Sequence, residues 1–168
     1  MSEPQDLLAE GDSVVPFFSF PVGVALTIEQ ILHFEDRLAK RPQIECPVRE
    51  WFVDGLYARE ISVPQNTYVT GAEHKHRHLC MLSLGEATVV TVKGMKRLKA
   101  PCTFIADPGK LVGYAHTDCV FTSFHATAET DPDKVIEELC TSTRDELQGG
   151  SRNKQLLNKS EMEKLPCQ

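Results

Sequence analysis

His78-Leu79-Cys80-Met81-Leu82-Ser83-Leu84-Gly85-Glu86, "HLCMLSLGE" (78–86), is a short apolar run that stops at a glycine. Its length suits a buried strand, and a glycine lets the backbone turn at its end where a side chain would resist. "EATVVTV" follows with the same β-branched texture, and Lys93-Gly94 marks the next turn.

Downstream, "MKRLKAP", "CTFIADPGK", "LVGYAHTD" and "CVFTSFHAT" continue the pattern, with Asp107-Pro108-Gly109 as a turn. Upstream, "LYAREISV" (56–63) alternates and halts at Pro64, "PQNT" reads as a turn, and "YVTG" follows. From about residue 48 to 127 this predicts some eight short strands with regular turn signals, the texture of a sandwich, barrel or jelly roll.

Two helices flank the strands. "TIEQILHFEDRLAKRP" (27–42) opens on a Thr27/Gln30 capping box and carries an apolar stripe of Ile28, Ile31, Leu32 and Leu38. Lys40 and Arg41 suit its C-terminal dipole, Pro42 ends it, and His33 lies off the stripe toward solvent. The second helix starts at Asp131 as N-cap with Pro132 at N1, and runs through "DKVIEELC". The chain therefore divides into an N-terminal arm and helix (1–47), a β-barrel (48–128), a C-terminal helix (129–141) and a flexible polar tail (142–168). Within the arm, "VPFFSFPVGVAL" (15–26) reads as an extended segment packing on a partner subunit or on its own domain.

Composition narrows the function classes. The chain has 168 residues, 41% hydrophobic and 25% charged, enough for one domain with a core. A net charge of -6 argues against broad nucleic-acid binding. No apolar run approaches the roughly 20 residues that span a bilayer. The acidic start "MSEPQDLLAEGDS" lacks the basic, then apolar, pattern of a secretion signal, so a cytoplasmic location is expected. The six cysteines are scattered without a CxxC pair and read as core or surface residues. GxSxG, P-loop and GxGxxG motifs are absent from the sequence.

Chemistry concentrates in histidine. "EHKHRH" (73–78) holds three of the chain's six. On one strand, His74, His76 and His78 would share a face, with Lys75 and Arg77 opposite. A metal site and a solvated basic patch are both open on spacing alone. Imidazole is the commonest metal ligand near neutral pH. His116, and His125 on the Phe121/Ser123/His125 face, are further candidates. Cys80 and Glu73 lie close by, as a core cysteine and an exposed carboxylate. Tyr57, Tyr68 and Tyr114 could orient a ligand. The basic "KGMKRLK" (93–99) reads as solvated hairpin charge.

Residues 55–127 resemble the cupin family, small antiparallel jelly-roll barrels with two loose motifs. The first is Gly, a spacer, His-x-His, three or four residues, Glu, six residues, Gly. With Gly85 as its closing glycine, His78 takes the Glu place, His74 the second His and Ala72 the first. The second motif falls on "DPGKLVGYAH", with Asp107 in place of its first Pro, Val112 in place of its His and His116 in place of its Asn. His116 or His125 would then replace the missing ligand. The resemblance is closer to short cupin-like proteins of tailed bacteriophages and prophages, through "GLYAREISVPQNTYVTG", "HLCMLSLGEATVVT", "KRLKAPCTFIADPG", "VGYAHTD" and "FTSFHAT". That group has "HKTEHL" where this chain has "HKHRHL".

What the resemblance implies is a mainly β, cupin-type jelly-roll barrel (a double-stranded β-helix) with an N-terminal and a short C-terminal helix. His74, His78 and His125 or His116 would hold a divalent transition metal (Fe, Mn, Zn or Ni), and a small-molecule ligand would sit in the barrel. A non-catalytic cupin scaffold or a ligand-binding phage accessory or assembly protein is the alternative. A homodimer is expected, and neither a membrane nor nucleic acid as partner. On the Gly85 frame, His74 ends one strand and His78 begins the next, with 75–77 as a hairpin tip and His76 a bystander.

Overall fold

The computed structural model describes residues 25–41 and 43–141. The expectations for residues 1–24, Pro42 and the tail 142–168 lie outside the described residues. The elements are α1 (Ile28–Ala39), β1 (Val48–Val53), β2 (Leu56–Val63), β3 (Tyr68–Thr70), β4 (His78–Leu84), β5 (Glu86–Thr91), β6 (Gly94–Lys99), β7 (Cys102–Ala106), β8 (Val112–Ala115), β9 (Cys119–Ala126) and α2 (Pro132–Leu139).

The strands form two antiparallel sheets, ordered β1-β2-β9-β4-β7 and β3-β8-β5-β6. Counted from β2 as one to β9 as eight, the sheets read 1-8-3-6 and 2-7-4-5. That interleaving is the double-sheet jelly roll, which folds a long antiparallel ribbon over on itself. β1 adds a ninth strand at the edge of the larger sheet. The sequence count of about eight missed it, because "VREWFV" carries two charges and no residue of it is fully buried.

Turn chemistry sets the strand ends. Gly85, between β4 and β5, has φ +88°. A Cβ there would lie 2.1 Å from the Asp118 carbonyl oxygen and 2.8 Å from both Cys119 Sγ and Thr117 Oγ1. Only glycine fits.

β5 is buried on both faces. Ala87 packs in the interior cluster with Leu82, Val63, Ala115 and Cys119. Val90 and Val112 point the other way, into a cluster with Leu26, Ile31 and Phe34 of the α1 segment. Helix α1 therefore covers the outer face of the smaller sheet. Its capping box forms as expected, with Thr27 and Gln30 bonded reciprocally. The expected apolar stripe does not hold throughout. Ile31 and Phe34 are buried, while Ile28 and Leu32 are 41% and 45% exposed. The helix rests on the line through positions 31, 34 and 38, and Phe34 gains an edge contact with Tyr68. Leu26, the last residue of the expected arm, packs on its own chain, where its N–H donates to the Thr91 carbonyl.

A polar tie fixes α1. Lys110 is 8% exposed and its Nζ lies 2.9 Å from Glu35 Oε2. Thr70 Oγ1 donates to Glu35 Oε1 at 2.8 Å. Glu35→Gln would leave a buried ammonium without its carboxylate, and is expected to cost about 2 kcal/mol in chemical denaturation. An unchanged midpoint would show that water replaces the pair.

The segment 71–77 is not a hairpin tip. β3 pairs with β8 in the smaller sheet, whereas β4 pairs with β7 and β9 in the larger one. The chain crosses between sheets here. His74 stands in this crossing, bridged to Gly109 on one side and Cys140 on the other.

Candidate metal centre

The inner face of the larger sheet is a lattice of cross-strand rows, since opposed residues share a face. One row runs Phe52, Tyr57, His125. On β4, Leu79 opposes Phe124, so His78, one residue earlier, falls beside His125. On its other side His78 opposes Ala106. Alternation along β9 and β4 thus turns both imidazoles inward.

His74 arrives by a different route. Its N–H donates to the Gly109 carbonyl at 2.9 Å and Gly109 N–H returns the bond at 2.8 Å. Lys75 N–H donates to the Leu139 carbonyl at 2.8 Å, and Thr141 N–H to the Glu73 carbonyl at 2.9 Å. The crossing segment is held between the β7–β8 turn and the end of α2.

The imidazoles of His74, His78 and His125 meet. Ring centroids are 4.1 Å apart for His74–His78, 4.5 Å for His78–His125 and 5.2 Å for His74–His125. One nitrogen from each lies within 4.8 Å of the others.

The electrostatics suit a ligand set. Burial lowers the His74 pKa to about 3, helped by the neighbouring His78, His125 and Arg59 charges. Burial, with His78 adding to it, lowers His125 to about 4. His78 is lowered as well, chiefly by burial. All three are neutral at pH 7 and keep their nitrogen lone pairs. His78 Nδ1 lies 3.2 Å from the His76 carbonyl oxygen. A carbonyl only accepts, so Nδ1 carries the proton and Nε2 keeps the lone pair.

A pH prediction follows for the metal-free chain. A histidine with pKa 6.5 when unfolded and about 4 when folded contributes its stability fully above pH 6.5. That contribution is lost as pH falls from 6.5 toward 4 for His125, and further toward 3 for His74. The His125 part alone is about 3 kcal/mol. Urea midpoints from pH 7.5 to 4 should fall, and His125→Asn should flatten the slope. A parent slope that is flat through this window would contradict buried neutral imidazoles.

The structure does not bring His116 into this group. Along β8 and beyond, Val112, Tyr114 and His116 share the outward parity. Tyr114 opposes Thr88, and His116 Nε2 lies 2.7 Å from Thr88 Oγ1 on that outer face. His76 is exposed in the bend. The Glu73 carboxylate accepts from Thr141 Oγ1 at 2.7 Å and is not in the imidazole group. Tyr57 is buried and its hydroxyl donates to Glu50 at 2.5 Å. Tyr114 donates to Asn66 at 3.0 Å. The basic 93–99 stretch is ion-paired at the surface, Lys93 to Asp107 and Arg97 to Glu86.

The imidazoles open on a cavity of about 150 Å³ within the barrel, also lined by Arg59, Cys80, Phe104, Phe121 and Ser123. Ile136, Leu139 and Cys140 of the α2 segment close it. Cys140 Sγ is 3.6 Å from His74 Nδ1, and burial pushes its thiol up to about 11. Burial pushes Cys80 up to about 12, so both line the cavity as neutral thiols. Sequence reasoning missed Arg59 and the closing role of α2. Arg59 was detectable, because it alternates in phase with Tyr57 and Ile61. The docking of α2 is a tertiary fact with no local signal.

No family model and no curated protein matches the chain. Among solved structures it is similar to an RmlC-like cupin from Shewanella frigidimarina, with 20% identity over 55% of this chain and 89% of that one, TM-score 0.43. A cupin 2 conserved barrel domain protein from Rhodopseudomonas palustris matches at 18% identity over 55% and 68%, TM-score 0.45. An acetylacetone dioxygenase from Acinetobacter johnsonii matches at 12% identity over 48% and 59%, TM-score 0.41. Among the described residues, no helix is long and apolar enough to cross a membrane.

Proposed function

We propose that this chain is a cupin-like protein that holds a divalent transition metal between His74, His78 and His125 and binds a small molecule in the barrel beside it. The observation that carries the reading is the convergence of three imidazoles, two buried and that of His74 half-buried, one nitrogen of each within 4.8 Å of the others. The donor set fits such an ion: neutral nitrogen ligands suit Fe, Ni and Zn, and Mn is the fourth candidate. When bound, the metal would supply Lewis acidity or, for iron or manganese, redox chemistry.

The chain's own residues do the rest. His76 fixes the tautomer of His78 through its carbonyl. The two backbone bonds to Gly109 hold His74 in place. Ile136 and Leu139 give the cavity part of its apolar wall. The likeness of segments such as "HLCMLSLGEATVVT" to cupin-like proteins of tailed phages supplies the setting we favour, a phage or prophage protein working in a bacterial cytoplasm. The thiols of Cys80, Cys102, Cys119 and Cys140, none of them in a disulfide, suit that reducing compartment.

The test is the metal content of untagged protein after dialysis against each of the four ions. About one equivalent of one ion per chain is expected. Less than a tenth of an equivalent with every ion would overturn the reading and leave a non-catalytic barrel.

A further inference from the structure

The outer face of the larger sheet carries a row of a different kind. Opposed residues share a face, so the register gives one line across all five strands: Trp51, Ala58, Phe124, Leu79 and Ile105. Each stands one residue from an inward position such as Phe52, Tyr57 or His125, so the line looks away from the barrel. Every member is apolar. Trp51, Leu79 and Ile105 are 42%, 45% and 64% exposed. Beside the row Val53 opposes Leu56, which opposes Ala126, and all three are exposed.

An antiparallel sheet with one wet face normally turns polar side chains outward. The smaller sheet solves the same problem with α1, whose Ile31 and Phe34 pack on its outer side. Helix α2 is engaged at Tyr57 and Phe52 of the inner rows. Both described helices therefore serve other surfaces, and this apolar face is left to meet a partner.

Charge and size favour a second copy. The chain carries a net charge of -6, which would set two copies apart, but the ions bordering the row are paired within the chain. Arg49 holds Glu60 on one side of the row, and Arg77 holds Asp107 on the other. Two such faces meet as neutral surfaces. Five strands at about 4.8 Å spacing and three residue rows at about 6.8 Å give, with side chains, a footprint of about 25 by 20 Å. That is on the order of 500 Å² per copy, and a specific dimer needs about 1,000 Å² in all.

We propose that the outer face of the larger sheet is the interface of a homodimer, sheet packed on sheet about a twofold axis, with the Trp51–Ile105 row at its centre. Two copies of one twisted sheet stack with interdigitating side chains, and the contact closes on itself.

The experiment is sedimentation of the unaltered full-length chain across micromolar concentrations, with fluorescence read on the same samples. The mass should rise to twice the 18.8 kDa of one chain. Trp51 is the chain's single tryptophan, so its emission should shift to the blue and resist acrylamide as the dimer forms. Ile105→Glu would bury an unpaired carboxylate in the contact and should raise the dissociation constant about 100-fold or more. Leu32→Glu, on the exposed flank of α1, should leave it unchanged. A chain that stays monomeric throughout would overturn the proposal, whether the face is bare or holds a terminal segment of its own chain. So would a dimer that forms without changing Trp51 emission, or one that survives Ile105→Glu and fails in Leu32→Glu. The reading of Trp51 needs no variant to fold.

Discussion

His125→Ala is expected to lose its metal on dialysis, with affinity down at least about 100-fold, while His116→Ala keeps the parental content. Loss of an outer partner of a metal ligand already costs on the order of 10- to 100-fold, and loss of the ligand itself costs more. His125 is one of three donors converging within 4.8 Å, so its removal leaves two. His116 belongs to the opposite face, where its Nε2 meets Thr88 Oγ1 at 2.7 Å. Its truncation removes the bond to Thr88 and the edge contact with Tyr114, and touches none of the three donors. Elemental analysis of the two variants, beside circular dichroism to establish that both fold, gives the answer. Equal metal in His125→Ala and parent, or loss in His116→Ala, would reverse the assignment of faces.

Gly85→Ala should lower folding stability by about 4 kcal/mol or more, the range reserved for changes that break a backbone requirement. Two penalties coincide. The backbone sits at φ +88°, where an L-residue is strained. The new methyl would also fall 2.1 Å from the Asp118 carbonyl oxygen, a main-chain atom that cannot swing aside. Gly55, with φ +77° and open space around it, isolates the first penalty. Gly55→Ala should cost only about 1 kcal/mol. Denaturant midpoints that coincide for the two variants would show that the β4–β5 corner yields.

The same glycine explains why much of the fold was legible. "HLCMLSLG" and "EATVVTV" have strand texture, and the corner between them admits one residue type. Turn residues punctuated the other strands almost as clearly, and β2 came out at Leu56–Val63 as read. His125 was legible as a candidate because Phe121, Ser123 and His125 share a face. His116 required a decision about which face of "VGYAH" looks inward. That decision depends on α1 covering the outer side of β8, which no local pattern states. His74 belongs to no strand, so alternation could not orient it; its bridges to Gly109 and Cys140 are long-range. The helix stripe failed for a related reason. Ile28, Ile31, Leu32 and Leu38 all fit a 3.6-residue period, and only the surface beneath decides which flank of the stripe is covered.

The clamp on His74 has one more consequence. Its neighbour Lys75 is hydrogen-bonded to Leu139, and its own thiol contact, Cys140, closes the end of α2. Donor position and helix docking are therefore one equilibrium seen from two ends. An ion that gains affinity when α2 is seated must, by reciprocity, hold α2 down by the same factor. The backbone amides of 136–140 would then report site occupancy through slowed hydrogen exchange. Anything that pries the helix away would release the ion without touching a histidine.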